Sequence, residues 1–458
     1  MSASSVKPRG GLLRHPNFLK LWTAETVSVF GSQISALAIP VVAVAILHAQ
    51  AFEVALLGTI EFLPFILFTL PAGAWVDRLR RRPIMIVGDL GRAAVLLTIP
   101  IVYFLNPAAL TIWQLYVVGF IAGTLTVFFD VSNQSYLPSI VERDELIEGN
   151  SKLQISASAA QIAGPGIAGL LIDLVRAPFA ILLDAVSFVW SAFFVWLIRK
   201  PEPPVEHPAD VLGQQRPSIV SDVRDGLRFV LGHPALRAIS AGTATSNLFG
   251  NIGGGIMILY LLDEQYLHLS PGQIGIAFGL GNVGALVGAV LANRIARWFG
   301  LGPTIIGSLF IGGMTLLMLA IAPAGDAALP FLVAGGVFGG LSQMVYNINQ
   351  VSYRQAICPP RMQGRMNATV RFLVWGTIPI GNILGGVIAT TFGVHETIWL
   401  AAALGFVPAI FPLLSPVRSL RQMPEPIGDE PPTPSPTAPP SDGPDEPPEA
   451  TDLRQAPA

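Results

Sequence analysis

Apolar residues run along this 458-residue chain in stretches long enough to cross a bilayer, which takes about 20 of them in a helix. Twelve such stretches fall near 18–47, 53–75, 84–105, 111–131, 151–173 and 178–198, then 236–262, 272–297, 303–322, 329–350, 367–390 and 394–414. A polar connector, 199–235, divides the two sets of six. Within it "SIVSDVRDGLRFVL" puts Val220, Val223, Leu227, Val230 and Leu231 on one helical face and Asp222, Arg224, Asp225 and Arg228 on the other. That pattern predicts a short helix on the membrane surface. The last stretch is followed by a Pro-rich acidic tail with almost no large apolar residues, a composition expected to stay disordered. The predicted fold class is all-α integral membrane: a six-helix bundle over 1–198, the 199–235 linker, a second bundle over 236–415 and a 416–458 tail.

Composition agrees. Residues are 52% hydrophobic and only 12% charged, against about 25% charged in soluble domains. Lys and Arg precede span 1, fill the loops after spans 2, 4, 6, 8 and 10, and follow span 12, whereas the intervening loops hold only Arg176. The positive-inside rule then predicts cytoplasmic termini. The first apolar stretch is too long for a cleavable signal and lacks a small-residue cleavage site. One cysteine, Cys358, allows no intrachain disulfide and no Cys-rich metal site. The chain has no Gly-x-x-x-x-Gly-Lys-Ser/Thr phosphate loop, no metal-ligand set, no Ser-His-Asp arrangement, and no basic patch with stacking aromatics for nucleic acid. The expectations are no enzyme, no cofactor, no metal, no nucleic-acid partner, and a monomer in the lipid bilayer.

The two sets of spans are copies. "HPNFLKLWTAETVSVFGSQI" from His15 parallels "HPALRAISAGTATSNLFGNI" from His233, and "YLPSIVERDELIEGN" from Tyr136 parallels "YRQAICPPRMQGRMN" from Tyr353. Gly164 and Gly169 answer to Gly381 and Gly386, and Arg78 to Arg294, all at offsets of 216 to 219 residues. Transporters built from repeats bind substrate at the repeat interface near mid-membrane.

"GAWVDRLRRRP", residues 73–83, interrupts two apolar stretches with one acid and four arginines. It resembles the loop 2–3 signature of the major facilitator superfamily, Gly-x-x-x-Asp-Arg-x-Gly-Arg-Arg. Gly73, Asp77, Arg78, Arg81 and Arg82 match, and Arg80 stands where the commoner pattern has glycine. "LWTAETVSVFGSQISALAIP", "GDLGRA" and "LPSIVERDELIEGNS" resemble the enterobactin-type and macrolide exporters within that superfamily. The resemblance covers about residues 10–418. It implies that Asp77 and Asp130, with these arginines, form a latch to the start of span 11, near Met366–Arg371, that holds the halves together when the cavity faces outward. "SAAQIAGPGIAGLLID" in span 5 resembles the antiporter-associated motif at Gly164, Pro165 and Gly169, with Ala168 replacing one glycine, and so points to export. Arginine outnumbers lysine 23 to 4, the usage of a GC-rich bacterial genome, and places the chain in a bacterial inner membrane.

An ionisable side chain within a span costs about 2.5–3.5 kcal/mol on insertion scales and is a functional candidate by default. Glu61 is the leading candidate for proton coupling, because burial disfavours the charged form of a carboxyl and readies it to exchange a proton. Glu25 and Asp184 come next, Asp184 near the outer end where water could wet it. Arg92 needs a carboxylate partner, from Asp89 or Glu25. The second set of spans offers neutral polar candidates, Asn247, Asn251, Asn282, Gln343, Asn347, Asn349 and Asn382. With Trp22, Phe62, Phe65, Tyr346 and Trp375 they would line an acid-poor, aromatic cavity suited to a hydrophobic or amphipathic small molecule. The sequence therefore predicts a secondary active exporter. A nutrient facilitator or importer, or a membrane sensor, remain as alternatives.

Overall fold

The computed structural model describes residues 12–76, 79–142, 145–200, 219–359 and 362–422. Asp77, Arg78, residues 201–218 of the connector and residues 423–458 of the tail lie outside them. The described residues form no strand and contain twelve helices able to span a membrane: Pro16–Ile46, Ala51–Thr69, Arg81–Leu105, Ile112–Ile140, Leu146–Val175, Ala177–Trp196, Pro234–Leu262, Pro271–Phe299, Leu301–Ala320, Gly325–Ile357, Arg365–Phe392 and Val394–Leu413. These are spans 1 to 12. The helix of span 2 continues to Val76.

The repeat recurs in local geometry. Spans 1 and 7 both open with His-Pro. In each, histidine Nδ1 accepts a hydrogen bond from the backbone amide three residues on, His15 from Phe18 at 3.2 Å and His233 from Leu236 at 3.4 Å. The side chain satisfies one orphan donor of the first turn, and proline at the first helical position has no amide to satisfy. The loops after spans 1 and 7 place His48 and His268 at φ 51°. The turn between spans 5 and 6 sets Arg176 at φ 69°, ψ 151°, and the matching turn between spans 11 and 12 sets Gly393 at φ 110°, ψ 152°.

Among the described residues the halves share a buried apolar core at one end. A single apolar core joins them at the end carrying the loops after spans 1, 5, 7 and 11: Val42, Ala55 and Ile172 of the first half share it with Tyr260, Ile274 and Ile398 of the second. At the other end, where the basic loops lie, each half closes its own core, one around Phe18, Met85 and Tyr136 and one around Leu236, Ile305 and Tyr353. Spans 5 and 8 meet backbone to backbone: a methyl group on Gly169 would overlap the Pro271 carbonyl, and one on Gly275 the Pro165 carbonyl. Spans 2 and 11 meet similarly, with Gly386 against Ala55 and Phe52. Small residues permit such approach where lipid supplies no hydrophobic drive. Towards the basic end these close glycine approaches stop, and among the described residues outside its own helix no atom lies within 4 Å of where a Cβ on Gly73 would stand.

The connector helix forms over Ile219–Gly232. Part of its expected apolar face packs on its own chain: Val230 is buried with Cys358, Met366, Val370 and Val374, while Leu231 stays exposed, and Asp225 pairs with Arg365 at 3.1 Å. Its Gly226 sits against Thr369 and the Arg365 backbone, so the helix is docked on the start of span 11.

Candidate functional site

Where spans 2 and 11 part, a cavity of about 290 Å³ opens between Phe65 and Thr69 on one side and Asn367, Arg371, Phe372 and Trp375 on the other. Phe62 stacks on Phe65 with ring centroids 5.7 Å apart and meets the edge of Trp375 at 6.2 Å, so one aromatic chain bridges the halves at the cavity roof. The Arg371 guanidinium lies 4.9 Å from the Trp375 ring centroid, a cation–π contact. Asn247 steadies that wall by donating to the Val374 carbonyl at 2.9 Å, where the helix of span 11 is interrupted at Gly376, and Asn251 donates to Asn247 O at 2.7 Å. Of the expected cavity aromatics, Phe65 and Trp375 line this cavity and Phe62 adjoins both through its ring contacts. The sequence reading did not single out Thr69, and it named Arg371 only as part of the latch partner; each is a polar residue four positions from a cavity aromatic on a spanning helix.

Other candidates lie elsewhere. Tyr346 does not line the cavity: it is 2% exposed, its hydroxyl 2.5 Å from Thr243 Oγ1, inside the core of the second half. Trp22 packs partly buried on the core of the first half. Gln343 is exposed and Asn347 half-buried. Asn282 reaches across the halves to the Gln161 carbonyl at 2.5 Å.

The ionisable candidates cluster in the first half. Asp89 and Arg92 form a buried ion pair one turn apart on span 3, and the Arg92 guanidinium is sandwiched between Phe129 and Phe188, 4.4 and 4.1 Å from their centroids. Arg92 therefore takes Asp89 as its partner, not Glu25. Glu25 lies beside Asn133 and Asp130, and its Oε1 is buried without a hydrogen bond among the described residues. In the repeat register Asp130 matches Asn347, Asn133 matches Gln350, and Glu25 matches Thr243, so the second half carries the same polar positions without charge. Glu61 packs against span 4, its Cγ 2.8 Å from where a Cβ on Gly119 would stand. Among the described residues it makes no ion pair or hydrogen bond.

Asp184 is corrected most clearly. It is 1% exposed rather than wetted, and it accepts hydrogen bonds from Ser35 Oγ and, at 3.1 Å, from Ser187 Oγ. Gly31 of span 1 gives that pair its room, because a Cβ there would collide with Ser187 Oγ. Buried polar groups need such partners, and these fit a structural carboxyl. Asp130 also moves: span 4 runs on to Ile140, so Asp130 lies ten residues short of its end and faces the Glu25 and Arg92 group.

The basic loop has a second occupation. Arg82 donates to the Val195 carbonyl at 3.2 Å and to the Trp196 carbonyl, and Lys20 donates to Leu197 O at 2.8 Å. Two cations thereby close the C-terminal end of span 6, whose last carbonyls lack helical partners and carry partial negative charge. Arg81 is partly buried at the start of span 3. In the span 5 motif Gly164 turns to Gln33 of span 1, whereas Pro165 and Gly169 face span 8 in the other half.

Twelve apolar helices in two pseudo-repeats, joined at one end and parted at the other around an aromatic-walled cavity, define a membrane transporter of the major facilitator type. Residues 9–433 match the family described as transmembrane secretion effector, and the chain belongs to that family. It is 25% identical over 405 residues to macrolide efflux protein A of Streptococcus pyogenes, covering 88% of this chain and 97% of that protein. It is 25% identical over 399 residues to the multidrug efflux pump Tap of Mycolicibacterium fortuitum, covering 85% and 93%. Among solved structures, a bacterial homologue of the iron transporter ferroportin in an inward-facing state superposes with a TM-score of 0.70 at 18% identity, covering 88% and 99%.

Proposed function

We propose that this transporter exports hydrophobic or amphipathic small molecules from a bacterial cytoplasm in exchange for protons, with both termini cytoplasmic. The observation that carries the reading is the cavity between spans 2 and 11: its walls carry aromatic residues, and its lining runs from the Phe62–Trp375 contact toward the ends of spans 2 and 11 that border the basic loops, which the positive-inside rule assigns to the cytoplasm. Cargo would enter there. The relatives named as efflux pumps support the direction. The bundles 1–198 and 236–415 would rock about the spans 2–11 and 5–8 contacts. Closing the basic end would bring Gly73 in the last turn of span 2, with Asp77, Arg78 and Arg81, against the start of span 11, with the latch formed only in that state.

For coupling we assign the proton to Glu61. It sits one residue from Phe62, the residue that touches Trp375 of the other half, so its charge state acts where the halves separate. Glu25 is the second candidate, because its buried Oε1 lacks a hydrogen-bonding partner among the described residues. In inverted vesicles with an acidified lumen, wild type is expected to accumulate a fluorescent amphipathic substrate, and a protonophore to abolish that. Glu61→Gln should lose uphill accumulation yet keep counterflow exchange. Accumulation by Glu61→Gln at the wild-type rate would transfer the assignment to Glu25, and accumulation indifferent to the protonophore would end the proton reading.

A further inference from the structure

A second concavity, about 550 Å³, lies on the flank of the first half, where span 3 begins and span 6 ends. Arg80, Arg82, Arg199 and Lys200 form one side, and Val87 and Trp196 the other. Two of the cations are committed to helix ends: Arg82 to span 6, as described, and Lys200 to the Ile140 carbonyl at 2.9 Å. Arg80 and Arg199 are exposed and make no hydrogen bond or ion pair among the described residues. The apolar side continues along the outer surface: Val87 is 64% exposed, Trp196 60%, and Leu90 and Phe193 about half. Trp196 is the last residue of span 6, and indoles are enriched where spans meet the membrane–water boundary.

We propose that this groove binds an anionic phospholipid of the leaflet that borders the basic loops. Its cations would hold the headgroup phosphate, and its Val87–Trp196 wall one acyl chain. Basic pockets between spanning helices on this side suit such headgroups. The continuous apolar wall distinguishes a lipid from free phosphate, which would have no use for it. The site also accounts for Arg80, the residue that departs from the commoner loop 2–3 signature: where that signature has glycine, this chain adds a cation at the start of span 3 that faces the groove instead of the inter-half gap.

The test is native mass spectrometry on the full-length protein, titrated with palmitoyl-oleoyl phosphatidylglycerol and with phosphatidylcholine of the same chains. Wild type is expected to retain the anionic lipid in at least about tenfold preference. One surface cation contributes about fivefold, so Arg80→Gln/Arg199→Gln should weaken retention about thirtyfold and Arg80→Gly alone about fivefold. Arg294→Gln/Arg297→Gln, an equal charge change at the end of span 8, should alter it less than about twofold, and excess inorganic phosphate should not displace the lipid. Equal losses in the two double variants, no preference over phosphatidylcholine, or no loss with either Arg80 variant would overturn the site. Displacement by inorganic phosphate would overturn the lipid assignment in favour of a free-anion site.

Discussion

Replacing Gly169 with alanine tests whether the contact between spans 5 and 8 holds one end of the transporter shut. A methyl group there would overlap the Pro271 carbonyl oxygen and lie 2.9 Å from Pro271 C and 3.0 Å from Gly272 Cα. Carbon atoms rest at about 3.5–4.0 Å, so the two backbones must separate by roughly 0.5–1 Å, and no side-chain rotation can relieve it. Overpacking of this kind costs about 1–3 kcal/mol. If the contact exists only in the state closed at that end, the whole cost falls on that state and shifts the balance about 5- to 150-fold toward its opposite. Spin labels at Asn106 and Ala327, exposed residues near that end in different halves, would report it in a Cys358→Ala background by double electron–electron resonance. The long-distance population should grow in Gly169→Ala. Gly73→Ala, which meets no described residue outside its own helix, should leave that population alone or move it the other way. A distance distribution for folded Gly169→Ala identical to wild type would refute the reasoning.

Four further outcomes are expected. Arg176→Gly should stabilise the protein by about 1 kcal/mol, read as a raised Tm, since Arg176 occupies a backbone region that glycine alone adopts without strain and its repeat counterpart is Gly393. Arg92→Met should destabilise by about 3–5 kcal/mol by leaving Asp89 buried and unpaired, while Asp89→Leu/Arg92→Met recovers most of that in denaturant titrations. Asp77→Asn should insert normally but export at a small fraction of the wild-type rate at matched abundance, whereas normal efflux would remove the latch. Deleting 424–458 should leave efflux within about twofold of wild type, since the last span ends at Leu413 and only the final ten residues of the family match are removed.

The sequence made the spans legible because hydropathy reports how a side chain values water, and twelve long apolar runs leave little choice of architecture. The repeat was legible because its markers, His-Pro at a helix start and glycine at close contacts, are local requirements that each half must meet separately. Direction around a helix axis was not legible. Tyr346 looks like a cavity aromatic until Thr243 supplies a buried hydroxyl partner, and Asp184 looks like a wetted carboxylate until Ser35 and Ser187 enclose it. Span 4 was read short because its last turns, "VSNQSYLPSI", carry polar residues, yet Ser132, Tyr136 and Ile140 are buried against neighbours, and that packing extends the helix. The contact of the connector helix with span 11 was hidden for the converse reason: amphipathicity reveals an apolar face without saying what will cover each residue of it.

The cations at the ends of the spans have a consequence for how such chains are manipulated. Lys20 and Arg82 bind the last carbonyls of span 6, Lys200 that of span 4, and Arg421 the Phe299 carbonyl at the end of span 8 at 3.2 Å. The positive charges that would orient the chain during insertion thus finish, in the folded protein, as the terminal ligands of its helices. Biogenesis and durability are written into the same few atoms. Neutralising or reversing such a residue to probe orientation would also unfasten a helix end, and a chain that inserted the right way round could still be lost afterwards to proteolysis.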